Sequence, residues 1–242
     1  MNFPSIRSIA FLALILLPGA AICSDSSTTE ERSLPIVSKY VDATHTQQEA
    51  MRGAEMEVDI SAQIPRLEKR GRLRALRKIS RLGVITYKAL GFSGDNTVKQ
   101  EVITRYLAAE SEGRENGTIA ISPTNYKFKL KSEQQVNGRR VVVLQITPRK
   151  KAVGLFKGEL WVDAETGMPV REAGQFVKTP SVFLKKIAFV RDYEIQDGVS
   201  IPAHIESTVD TRVAGRAELE ISFSNFTRPA GDDEVASVQA NP

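Results

Sequence analysis

Between Met56 and Ile64 every second residue is apolar. Met56, Val58, Ile60, Ala62 and Ile64 alternate with Glu57, Asp59, Ser61 and Gln63, a period of two that suits a strand with one buried and one wet face. The pattern returns at Tyr126, Phe128 and Leu130 against three lysines, Lys127, Lys129 and Lys131. It returns again at Leu219, Ile221 and Phe223 against Glu218, Glu220 and Ser222. Strands wet on one face belong to antiparallel sheets. The turn chemistry agrees, because Asn137-Gly138 and Asp197-Gly198 each separate two strand-like runs, where a tight hairpin needs residues tolerant of positive φ.

Two segments read as helices. Leu34, Ile36, Val37, Tyr40, Val41 and Thr44 recur at helical spacing behind Ser33, with Pro35 in the first turn, which predicts a helix from Ser33 to about Met51. Thr97 and Gln100 have capping-box spacing, and Val98, Val102, Tyr106 and Ala109 share one face, which predicts a second helix from Thr97 to about Ser111. The order is therefore helix, three strands, helix, then further strands to Phe226. Two small domains would leave wide apolar faces exposed, so one long, curved antiparallel sheet with helices on one side is the expected architecture, a mainly β, α+β fold.

The first residues have the order of a secretory signal: Arg7, an apolar run from Ile9 to Leu17, Pro18-Gly19, then Ala20-Ala21. That run is shorter than the roughly 20 residues a membrane-spanning helix needs. We expect a signal peptide over 1–23, cleaved near Ala21 or Cys23, a flexible leader over 24–32, one domain over 33–228 and a disordered tail over 229–242. Cys23 is the only cysteine, so the domain is expected to have neither disulfide nor cysteine-bound metal.

Catalytic signatures are missing. There is no Gly-rich phosphate loop, no paired-histidine zinc motif and no nucleophile elbow. The two histidines, His45 and His204, read as surface residues. Asp163 and Glu165 fall in a turn, where Asp serves local hydrogen bonds. No enzyme activity, cofactor or metal is expected. A formal charge of +4 is too mild to indicate a nucleic-acid partner. The one basic concentration runs from Ile64 to Gly83, either as an amphipathic helix carrying Leu73, Leu76, Ile79 and Leu82, or, the favoured form, as a hairpin turning near Lys69 to Gly71. Arg70, Arg72, Arg74, Arg77 and Lys78 are its candidate docking residues for a membrane or a protein partner.

From Val141 onward the runs VVVLQITPRK, GELWVDAETGMPVREAG, DYEIQDGVSIPAHIES and AELEISFSNF follow one another. This succession, with Leu160-Trp161-Val162-Asp163, Thr166-Gly167 and Met168-Pro169-Val170 as its most specific part, resembles the periplasmic outer-membrane lipoprotein-sorting family, the lipoprotein carriers and their relatives. The resemblance implies an unclosed β-barrel of about eleven strands with helices covering its open side. It also implies an apolar cavity for the acyl chains of a lipid or lipoprotein, a periplasmic location and no catalysis. Candidate wall residues are Ile60, Phe128, Leu130, Leu144, Leu160, Leu219, Ile221 and Phe223, which either line such a cavity or fill a core. The alternative on the same scaffold is an envelope sensor or interaction module docking an inner- or outer-membrane protein.

Overall fold

The computed structural model describes residues 26–113 and 119–228. The expected signal peptide over 1–23 and the tail over 229–242 lie outside the described residues. Helix α1 (Ser26–Ala50) is followed by β1 (Glu55–Ile64), β2 (Lys69–Ile79) and β3 (Ile85–Gly94). A helical stretch comes next: α2 (Asn96–Val98), a π-turn (Lys99–Thr104) and α3 (Arg105–Gly113). Seven more strands complete the chain: β4 (Tyr126–Val136), β5 (Arg139–Pro148), β6 (Phe156–Asp163), β7 (Pro169–Phe176), β8 (Leu184–Gln196), β9 (Val199–Thr211) and β10 (Arg216–Thr227).

All ten strands join in one sheet, in the order β3-β2-β1-β10-β9-β8-β7-β6-β5-β4, with every neighbouring pair antiparallel. The first and last strands pair with each other as the third and fourth of the ten, and β3 and β4 are its two free edges. The sheet is an unclosed, curved barrel wall. It has ten strands where about eleven were expected, with seven after the second helical stretch.

The alternation of β1 is retained in full: its even-numbered residues from Met56 to Ile64 are buried. Both hairpin predictions hold, with Asn137, Gly138, Asp197 and Gly198 all at positive φ in the β4–β5 and β8–β9 turns. Three local readings are corrected. Helix α1 runs back to Ser26 and so takes in most of the segment expected as a leader; a proline near its middle removes a backbone donor without ending it. The second helical stretch is capped by Asp95, whose side chain accepts from the Thr97 and Val98 amides, and not by Thr97. Its π-turn then inserts an extra residue, so Ile103 is buried while Ala109 is exposed.

The basic run is β2, not a helix, and its turn is the 3-10 segment Pro65–Leu67 with Glu68 left-handed at φ 54, slightly earlier than expected. Pro65 has no amide to offer a strand partner and starts the turn there.

Candidate functional site: the covered inner face

One face of the sheet is apolar and lies under the helices. It divides into two clusters. Ile60, Leu219, Ile221 and Phe223 belong to the first, with Leu73 and Ala75 of β2 and with Val98 and Ile103 of the second helical stretch. Phe128, Leu130, Leu144 and Leu160 belong to the second, under Val37 and Tyr40 of α1. The eight candidate wall residues thus share one face of one sheet, but in two groups of four. Ile60, Leu144, Leu160 and Ile221 are 0 % exposed, so the helices meet the sheet there without a water-sized gap.

A polar seam runs where cover and sheet meet. Arg77 alternates with Leu73, Ala75 and Ile79 on the inward face of β2 and is 0 % exposed. Its Nη2 lies 3.0 Å from Glu110 Oε1 on α3, its Nε donates to the Tyr87 hydroxyl at 3.3 Å, and Tyr87 in turn donates to Glu110. Burial works against the charge of Arg77, but the facing Glu110 carboxylate and the Tyr87 phenol outweigh it and raise its pKa. Further along the face, Arg191 reaches Glu172 and the Tyr193 hydroxyl, both at 3.3 Å. Tyr40 of α1 lies buried in the field of Glu172; burial first, and that carboxylate second, push its pKa well above the usual phenol value. The Gln47 side-chain amide on α1 donates to the Ser200 carbonyl at 2.6 Å.

Arg77 is therefore corrected: it is not a docking residue on the surface but a buried side chain paired with Glu110 of α3. The strand period decides this, since residue 77 has the same parity as the apolar positions of β2. Arg70, Arg72, Arg74 and Lys78 do point outward. Arg72 pairs with Asp59 at 2.6 Å, Arg74 with Glu57 at 3.4 Å and Lys78 with Glu55 at 2.6 Å. Exposed pairs of this kind contribute about 0–1 kcal/mol each, and they leave a charge-balanced strand face instead of a bare basic patch.

The run from Leu160 to Val170 forms β6, a turn and the start of β7, and it seats α1. Asp163 Oδ1 accepts from the Glu165 amide at 3.0 Å, the Thr166 amide at 2.8 Å and the Thr166 hydroxyl at 2.9 Å. Burial alone would raise the Asp163 pKa, but these hydrogen bonds, with Arg139 beyond them, hold the carboxyl below its usual range. Lys39 of α1 donates to the carbonyls of Ala164 and Glu165 at 3.1 and 2.7 Å. Gly167 (φ +77) passes so close that a Cβ there would lie 2.6 Å from the Lys39 carbonyl oxygen. Of the histidines, His45 is exposed and His204 half-buried beside Glu206. Among the described residues no group of three or more His, Cys, Asp or Glu gathers as a metal site.

A family model described as "Uncharacterized protein" matches residues 119–234. No curated protein is significantly similar to the chain. Among solved structures, the chain is similar to an outer membrane lipoprotein-sorting protein domain from Vibrio parahaemolyticus, at 14% identity and TM-score 0.42 over 86% of this chain and 98% of that one. It is similar to a LolA superfamily protein from Nitrosomonas europaea, at 12% identity and TM-score 0.39 over 84% and 96%. A DUF1329 family protein from Desulfovibrio piger matches at 17% identity and TM-score 0.41 over 81% and 94%. Lipoprotein-sorting proteins, the group its sequence runs resemble, are thus among the structures similar to this chain.

Proposed function

We propose that this is an exported, non-catalytic binding protein of the periplasm that takes the acyl chain of a lipid or lipoprotein between its curved sheet and a displaceable helical cover. The observation that carries the reading is the composition of the inner face: two apolar clusters with a polar seam set among them, in which Arg77–Glu110 joins the sheet to the cover and Arg191–Glu172 links two strands of the sheet. Attraction within a buried ion pair is largely offset by the cost of dehydrating it. Opening the seam to water therefore costs little, and what holds the cover is its apolar contact with the sheet. An acyl chain supplies the same kind of contact. About a dozen methylenes buried at roughly 0.8 kcal/mol each give a gross drive near 10 kcal/mol, enough to compete with the helices for the inner face.

Saturable uptake of a fluorescent fatty acid, with displacement by unlabelled acid, tests this reading; a protein that binds none at micromolar concentration contradicts it. Export is tested by N-terminal sequencing of the protein from the envelope, where a start between Ile22 and Ser26 is expected and an intact Met1 is the contrary result.

A second reading follows from the packing itself. Four of the wall residues are wholly enclosed, and the opposite face carries a groove of about 700 Å³ with Arg70 and Arg72 among its lining residues, together with Glu206, Glu218 and Glu220. In this reading the interior is a filled core and the charged groove docks a membrane-protein partner. Pull-down of such a partner, lost on reversing Arg70 and Arg72 to Glu, together with failure to bind fatty acid, favours it.

A further inference from the structure

The two ends of the sheet differ. In this antiparallel arrangement the β1–β2, β5–β6, β7–β8 and β9–β10 connections all fall at one end, since β1 and β10 pair antiparallel. Five exposed large apolar side chains lie in those connections: Leu67, Val153, Val182, Phe183 and Val213. The opposite end carries two, Leu82 and Val84 in the β2–β3 turn, and is closed in part by the Asn137-Gly138 and Asp197-Gly198 hairpins.

The most exposed of the five stand side by side. Val182 and Phe183 in the β7–β8 loop are 78% and 64% exposed, and Val213 in the β9–β10 turn is 74% exposed. The two loops are fastened together: the Arg212 amide donates to the Phe183 carbonyl at 2.9 Å, and Arg212 Nε donates to the Val182 carbonyl at 2.7 Å. The Thr179 hydroxyl is within hydrogen-bonding distance of the Ser181 and Leu184 carbonyls, 3.2 Å from each. The tip is thus ordered with its apolar side chains in water, an arrangement that folding alone does not reward.

Charge surrounds it. Lys178, Lys185, Lys186 and Arg212 are all exposed beside the tip, and the neighbouring carboxylate, Asp210, is engaged by Arg216 at 2.9 Å. Apolar side chains at the summit with cations set behind them match the two layers of a membrane surface, acyl boundary within and anionic phosphates without.

We propose that this tip docks on an anionic phospholipid bilayer, with Val182, Phe183 and Val213 entering the headgroup region and the four cations against the phosphates. The site is independent of whatever the inner face holds. It is also distinct from the charge-paired face of β2.

The test is co-sedimentation of the full chain with vesicles of equal parts phosphatidylglycerol and phosphatidylcholine, against vesicles of phosphatidylcholine alone. Binding is expected to the first and to weaken with salt. Val182→Ser with Phe183→Ser should weaken it about tenfold or more, and Lys185→Glu with Lys186→Glu by at least about fivefold per lysine; circular dichroism should stay unchanged because these side chains are exposed. Wild-type protein that ignores anionic vesicles, or binding that survives the Val182 and Phe183 substitutions, overturns the proposal. Capture by an envelope protein through the same tip, without any binding to lipid, overturns it as well.

Discussion

Arg77 on β2 and Glu110 on α3 meet at 3.0 Å across the seam between sheet and cover, and the arginine is wholly withdrawn from water. Removing one member leaves the other without its counter-charge in a dry site. Arg77→Met should therefore destabilise the protein by about 3–5 kcal/mol, whereas Arg77→Met combined with Glu110→Leu should return to near the wild-type value or above it. Urea denaturation of the two single variants and the double variant measures the coupling.

Gly167 and Gly138 share φ +77, but only at Gly167 does a Cβ collide with backbone, 2.6 Å from the Lys39 carbonyl oxygen. Gly138→Ala should cost about 1 kcal/mol for the left-handed conformation alone. Gly167→Ala should cost more, about 2–3 kcal/mol, because α1 must shift from its seat. Thermal unfolding of both variants, followed by circular dichroism, gives the comparison.

Asp163 makes part of the stability dependent on acid. Its folded-state pKa is held below the ordinary carboxylate value, so its contribution is complete above the unfolded-state value near pH 4 and is lost as the pH falls through the folded-state pKa. The wild type should lose stability in that window. Asp163→Asn should be less stable at neutral pH but show a flatter profile below about pH 4, as read from denaturant midpoints across an acid series.

The sheet was legible because burial in a strand has a period of two, and Met56–Ile64, Tyr126–Leu130 and Leu219–Phe223 keep it without interruption. The same rule contained the inward placement of Arg77: residues 73, 75, 77 and 79 share parity, and three of them are apolar. Basic composition masked that signal. Its partner Glu110 lies in a helix reached through a π-turn, and no local pattern announces an inserted residue. The Asp163 turn was readable as a turn, but its role as the seat of α1 depends on Lys39, 125 residues away from Ala164. Whether eight apolar inner residues fill a core or line a cavity depends on how closely the helices approach, a tertiary distance that strand periodicity does not encode.

Leu144 tests how tightly the cover is seated. It is fully enclosed, so Leu144→Ala should cost about 2–5 kcal/mol. Leu144→Phe should strain the resting state by about 1–3 kcal/mol. If the helices are displaceable, the Phe variant should also raise hydrogen exchange in α1 relative to the wild type, with the sheet amides less affected.

The central claim is that an acyl chain enters between the inner face of the sheet and its displaceable cover, and fatty-acid titration of the wild type beside the Arg77→Met, Glu110→Leu double variant tests it most directly. With the seam made apolar the cover is held more firmly, so the account predicts saturable binding by the wild type and weaker uptake by the double variant despite equal or greater stability. No binding by the wild type, or equal uptake by both proteins, would contradict it.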